Sequence, residues 1–234
     1  MSVCLALDTA TAVATVALGD DRDLLAEVTL GRRRAGAQLV PAIEECLQLG
    51  GVGWRDVTEI LIADGPGSFT GLRIGFATVL GIITEHDLRV SVAPSLMVSA
   101  WAAAQLDEAP VAALYDALRG EVFGALYSFT SNGVEVHEAP ALTTVARLRE
   151  RARVRPRVAV GDGAVAYADE IRAWTMRDPL GLPHGVPRAF ALLALRRLEG
   201  GAAPVDFGDF EPTYGRQAHA QAVWERDSGL RLGN

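Results

Sequence analysis

The sequence contains no lysine: all 22 basic residues are arginine. Schiff-base chemistry is thereby excluded, as is any phosphate loop that depends on a lysine. Cysteine is scarce. Cys4 and Cys46 form no metal-ligand spacing, and each lies in an apolar stretch. Both are expected as buried free thiols, as in a reducing compartment. Aromatic residues make up 6% of a chain that is 50% hydrophobic, so Ala, Val, Leu and Ile must build the core. The four histidines, His86, His137, His184 and His219, include no pair at metal-binding spacing, and no metal site is expected. Long hydrophobic runs are also missing. The longest, Ile74 to Ile83, lies between Arg73 and Glu85 and is too short to cross a bilayer. The opening residues carry no basic region and no small-residue cleavage site, so no signal peptide is expected and the chain reads as soluble and cytoplasmic. A net charge of -7 argues against a broad basic grip on nucleic acid, though not against membership of a larger assembly that has one.

What is present is two similar halves in 234 residues. Strand-like runs at Val3–Leu7, Val13–Leu18 and Leu24–Leu30 are separated by turn residues and read as an antiparallel meander. Apolar residues at 39, 43, 46 and 47 mark one face of a helix over Leu39–Leu49, closed by Gly50-Gly51. A strand at Ile60–Ala63, a glycine-rich loop at Asp64–Gly71, a helix ending near His86 and a strand at Arg89–Val92 complete the first half. The second begins near Pro110. It has strands at Val111–Tyr115 and Glu121–Tyr127, an Arg-rich amphipathic helix at Thr144–Arg153, a strand at Val158–Val160 and a later helix at Arg188–Leu198. Each half places an Asp at the end of its leading strand, Asp8 and Asp116, and an Asp-Gly after a later one, at 64 and 162. That self-similarity points to a duplicated α/β lobe.

The strongest local motif is Asp64-Gly-Pro-Gly-Ser-Phe-Thr-Gly-Leu-Arg-Ile-Gly. Gly65 and Gly67 permit close backbone approach, and Ser68 or Thr70 is placed to cap the following helix. No Gly-Lys-Ser/Thr follows, so it is not a Walker loop. Pro66 and Thr70 stand where a nucleophile elbow around Ser68 needs glycine, and the spacing is wrong for a dinucleotide fingerprint. The helix it opens is apolar nearly all round, with Gly71 and Gly75 one turn apart. Such a helix needs cover on more than one side, from its own domain or from another subunit. Glu44 and Glu45 read as a solvated helix face and Arg32–Arg34 as a solvated loop.

The Leu5-Ala-Leu-Asp-Thr-Ala-Thr opening, the 64–75 motif, Asp116-Ala-Leu-Arg-Gly-Glu-Val-Phe, Gly161-Asp-Gly-Ala and Glu211-Pro-Thr-Tyr-Gly-Arg together resemble the TsaB family, also called YeaZ. The resemblance covers about residues 3 to 216. It implies an α/β, actin/Hsp70-like (ASKHA) duplicated two-lobe fold, divided at 1–105 and 106–234, with the tail able to pack back on the first lobe. It implies a non-catalytic partner and activator of a TsaD-like transferase, which places threonylcarbamoyl on N6 of adenosine-37 in tRNA. A TsaE-like ATPase joins the pair, and tRNA is met through the complex. Nucleotide and metal are expected on those subunits and no cofactor on this chain. Homodimers are an expected form of the chain alone. The partner-binding face implied is Leu39, Ile43, Leu47, Gly71, Leu72, Gly75, Phe76 and Val79, with Gly75→Leu expected to abolish partner binding and spare the fold. Asp8, Thr9, Thr11 and Asp116 stand where such folds face a nucleotide and mark a vestigial site. The chain departs from the family at Gly36, before Gln38-Leu-Val-Pro, and at Leu118. An alternative is a stand-alone nucleotide-dependent enzyme of the same fold, like a sugar or acyl kinase. A peptidase reading, suggested by older naming, has no histidine pair to support it.

Overall fold

The computed structural model describes residues 2–20, 23–31, 35–104, 110–131, 133–180 and 188–215. The first half forms β1 (Val3–Asp8), β2 (Thr15–Gly19), β3 (Leu24–Thr29), α1 (Ala35–Gly50), β4 (Val57–Ala63), α2 (Phe69–Glu85), β5 (Arg89–Ala93) and α3 (Ser95–Ala104). The second forms β6 (Val111–Asp116), β7 (Val122–Thr130), β8 (Gly133–Thr143), α4 (Val145–Arg151), β9 (Val158–Val160), α5 (Asp162–Ala166) and α6 (Ala168–Thr175). Two further elements follow, α7 (Arg188–Leu195) and β10 (Ala203–Val205).

The first sheet has the order β10-β5-β4-β1-β2-β3 and the second β8-β7-β6-β9. In each, the leading strand pairs antiparallel with the next strand and parallel with the strand after the helix. Every residue of β1 is buried, as its unbroken apolar run requires of a strand covered on both faces. Alternate residues then serve different layers. Leu5 and Leu7 join Leu39, Ile43 and Leu47 of α1, while Cys4 and Ala6 join α3, α7 and the inner face of the second sheet. Leu114 and Leu126 of the second sheet meet Leu148 of α4 and Trp174 of α6 on its outer side. The layers therefore run helix, sheet, helix, sheet, helix, and one core continues across both lobes. Each Val, Leu or Ile side chain buried in it contributes about 1.5–3 kcal/mol.

The division at residue 105 separates the two sheets but not every element after it. α7 packs on β1, β2 and β4, and β10 pairs antiparallel with β5, so both lie on the first sheet rather than in the smaller lobe. The reason is apolar. Ala189, Ala191, Leu192 and Leu195 are fully buried in the shared core, which the second sheet alone could not supply. Cys4 and Cys46 are buried and form no disulfide with each other. Among the described residues no helix is long and apolar enough to cross a membrane.

Candidate functional site

The turn after β1 and the glycine-rich loop are locked together. Ser68 caps α2, its Oγ accepting from the Gly71 N–H at 3.2 Å, and the Ser68 N–H donates to the Ala10 carbonyl at 2.7 Å. Gly71 lies under the Thr9 carbonyl, and a Cβ there would collide with it. Gly67 sits as close to the Ala10 backbone and Gly65 to the Thr213 carbonyl. The Gly65 N–H donates to Ser95 Oγ at 2.9 Å, and Thr213 N–H donates to the Asp64 carbonyl at 2.7 Å. The motif thus ties the first turn, α3 and the C-terminal segment to one point. Thr70 is exposed at the start of α2.

The proposed nucleotide residues separate into two groups. Asp8 is fully buried. One oxygen accepts the Ala10 N–H at 2.8 Å, and the other takes Arg188 Nε at 2.7 Å. Arg188 is itself buried and donates a further bond to the Val13 carbonyl. Thr9 is buried against Gly75, and its hydroxyl has no partner among the described residues. Thr11 closes its own turn, donating to the Val13 carbonyl. Asp116 does likewise, accepting the Leu118 N–H at 2.9 Å, while its own N–H donates to Asp162 at 3.0 Å. Leu118 and Arg119 hold positive φ in that turn. Thr11, Ser68, Asp116, Phe123 and Asp162 line a cleft of about 170 Å³ between the lobes.

The cleft is narrow, and two carboxylates, Asp116 and Asp162, stand in its wall. Asp8 cannot hold a cation while Arg188 occupies it. Asp8 is therefore structural, a correction forced by Arg188, which local sequence reasoning does not connect to Asp8, while Thr9 packs against Gly71 and Gly75. No cluster of metal-ligating side chains occurs among the described residues. Burial, with the charges of Glu27 and Glu45 behind it, pushes the Cys46 thiol up to about 12, so it is no nucleophile. His86 stacks on Trp54, and His137 Nε2 meets Ser128 Oγ at 2.8 Å. His184, His219 and Arg32–Arg34 lie outside the described residues.

The helical face also needs correcting. Leu39, Ile43, Leu47, Leu72, Phe76 and Val79 all point into the chain's own core. Gly71 and Gly75 admit Thr9, not a foreign helix. The second cover over Phe76 is the chain's own C-terminal segment: Phe207 and Phe210 stack on it with centroids at 5.0 and 6.0 Å. Burial through these residues leaves the opposite side of both helices outward. There α1 presents Gly36, Ala37, Val40 and Pro41, and α2 presents Ala77, Leu80, Gly81 and Thr84. Val40 is 55% exposed and Leu80 48%. Gly81 faces open space. Pro41 removes the helix bond to the Ala37 carbonyl, so that acceptor also lies on the outward side.

Two sheets of matching strand order, each with an Asp turn pressed by a glycine loop, define a duplicated two-lobe protein of the actin/Hsp70-like class. A family model described as TsaD: tRNA N6-adenosine threonylcarbamoyltransferase matches residues 29–162, more than half of the chain. The tRNA threonylcarbamoyladenosine biosynthesis protein TsaB of Escherichia coli (strain K12) is 32% identical over 169 residues, 70% of this chain and 73% of that protein. TsaB of Bacillus subtilis (strain 168) is 29% identical over 132 residues, 56% of this chain and 57% of the relative. Among solved structures, YeaZ from Pseudomonas aeruginosa superposes with a TM-score of 0.74 at 25% identity, covering 92% of this chain and all of that one. The chain belongs to the TsaB (YeaZ) family.

Proposed function

We propose that this chain acts in threonylcarbamoyladenosine synthesis on tRNA as the non-catalytic partner of a TsaD-like transferase, in the cytoplasm. Membership of a family whose characterised relatives bear that name supports the pathway. The partner role rests on one observation: α1 and α2 turn outward a patch of small and apolar residues, Val40, Ala77, Leu80 and Gly81, on surfaces that also carry Glu44, Glu45, Arg73 and Glu85. Small side chains let a second helical layer approach closely, and the exposed aliphatics supply area to bury on contact. Activation follows from binding energy. A transferase conformation that alone fits this surface is populated at the expense of others, by as much as its preferential affinity allows. The ion pair that occupies Asp8 with Arg188 supports the non-catalytic reading. A TsaE-like ATPase would bind the assembled pair.

Light scattering on the chain mixed with the TsaD-like subunit of its own organism tests the reading. A one-to-one heterodimer is expected. Leu80→Asp, a substitution on the exposed side, should abolish it while the thermal transition stays in place. Heterodimer formation at unchanged affinity by Leu80→Asp and Val40→Asp would place the interface elsewhere, and failure of the unaltered chain to pair would overturn the partner role.

A further inference from the structure

Neither the helical face nor the cleft uses the arginines of the second lobe. Residues 145–157 read Val-Ala-Arg-Leu-Arg-Glu-Arg-Ala-Arg-Val-Arg-Pro-Arg, with six arginines against one glutamate. The chain around them is acidic, with a net charge of -7 despite this segment. Leu148 and Val145 anchor α4 in the core, and Pro156 and Val158 anchor the connection to β9. All six arginines, at every second position from 147 to 157, are left exposed. Arg149, Arg153 and Arg155 line an open depression of about 490 Å³, with Val154, Trp174 and Met176 among its apolar walls and no acidic residue lining it. Arg155 Nε donates to the Trp174 carbonyl at 2.8 Å, which fixes that wall. Of the carboxylates around the strip, Glu150 lies within it and is exposed. Glu138 stands 3.6 Å from Arg151, and Asp169 and Asp178 hold Arg172 at 2.8 and 2.6 Å. Among the described residues no ion pair engages Arg147, Arg149 or Arg153. Met176 is 71% exposed at the rim.

We propose that this depression binds the phosphate backbone of RNA. Guanidinium groups grip phosphate oxygens through paired N–H donors, and a line of them matches a polyanion better than a single carboxylate. The exposed Met176 thioether offers an apolar surface for a ribose or base between the charged contacts. In a chain of net charge -7, a concentrated basic strip also helps to orient the polyanion. That the RNA is the tRNA being modified rests on the function proposed above; the presence of the strip does not. An acidic protein surface is the competing occupant, and the experiment separates the two.

The test is fluorescence anisotropy with a labelled, unmodified tRNA transcript, titrated over a range of salt with the full chain and with its complex with the TsaD-like subunit. Arg149→Glu/Arg153→Glu should weaken binding by at least about tenfold, and the slope of log affinity against log salt should become shallower by about two. Arg55→Glu, on an exposed arginine of the other lobe, should change neither. A thermal melt confirms that both variants fold, and light scattering should show both still pairing with the transferase subunit. Unchanged affinity and slope in the double variant would overturn the proposal. So would loss of heterodimer with tRNA binding by the chain intact, which would assign the strip to an acidic protein. If the unaltered chain binds tRNA through this strip but never pairs with the transferase subunit, the partner reading fails and the strip stands.

Discussion

Asp8 and Asp116 occupy the same place in two copies of one framework, at the end of the leading strand and beneath a glycine loop. In the first lobe the site is sealed: Asp8 is 0% exposed, and Arg188 reaches it from 180 residues away. In the second lobe Asp116 bonds, among the described residues, with its own turn and with Asp162, and it lines the open cleft. The helices diverge in the same way. The first lobe is covered by α1 and α2, of 16 and 17 residues, whose exposed sides mix small and apolar residues with charged ones such as Glu44, Glu45, Arg73 and Glu85. The second lobe has α4, α5 and α6, of 7, 5 and 8 residues, and an arginine strip. Duplication preserved the strand order, which the core dictates, and released the surfaces to different uses.

The sharpest way to break this comparison is to remove both aspartates in turn. Asp8→Ala leaves the Arg188 guanidinium buried without its counter-charge and should cost about 3–5 kcal/mol in denaturant unfolding. Asp116→Ala removes one exposed turn bond and should cost about 1 kcal/mol or less. Equal costs would mean that the Asp8–Arg188 pair is not what closes the first cleft. Next in size is the contrast between the two sides of α2. Gly75→Leu drives a side chain into Thr9 and Ile62, so it should lower stability by about 1–3 kcal/mol or more and broaden the thermal transition. The expectation that Gly75→Leu spares the fold is therefore withdrawn. Leu80→Asp on the outward side should stay within about 0.5 kcal/mol of the parent.

Protonation gives a smaller effect, seated in the first lobe. Burial holds the Asp64 carboxyl up at about 6 and Glu27 up at about 7, and Glu27 Oε1 has no hydrogen-bond partner among the described residues. Both groups ionise at lower pH in the unfolded chain. Their contribution to stability is therefore full below about pH 4 and is lost as pH rises to about 7, where the folded state must also give up its protons. Thermal melts should show Tm rising as pH is lowered from 7.5 to 5.5, and Asp64→Asn/Glu27→Gln should flatten that rise. A Tm that falls over this interval in the parent would contradict the buried, neutral state of both carboxyls.

The sequence was readable where local pattern and burial agree. The face at 39, 43, 46 and 47 marks α1, the Ser68 cap marks α2, and the paired Asp turns mark the duplication. Three things escaped it. β8 carries Pro140 and several charges because it is the sheet edge next to β7, where alternation is weak and proline is tolerated. α3 is buried over most of its surface between the sheets, so it shows no amphipathic stripe. The Asp8–Arg188 pair has no local signature at all, since only the docking of α7 on the first sheet creates it. For the same reason periodicity found the apolar face of each helix but not what covers it. Apolar residues at helical spacing identify the buried side, and here that side is the chain's own core.

A last contrast probes the seam between the lobes. Tyr115 and Tyr127 are both buried on the second sheet and face the shared core. Tyr115 reaches across to α3: its hydroxyl lies 2.5 Å from Ser99 Oγ and donates to the Ser95 carbonyl at 3.0 Å. The Tyr127 hydroxyl has no partner among the described residues. Tyr115→Phe strands Ser99 and should cost about 1–2 kcal/mol, whereas Tyr127→Phe removes an unpaired polar atom and should be neutral or stabilising by up to about 1 kcal/mol. Chemical denaturation of the two variants decides it. If Tyr127→Phe costs as much as Tyr115→Phe, that hydroxyl is bonded in solution, and the seam is held by polar contacts on both tyrosines rather than by Tyr115 and apolar packing.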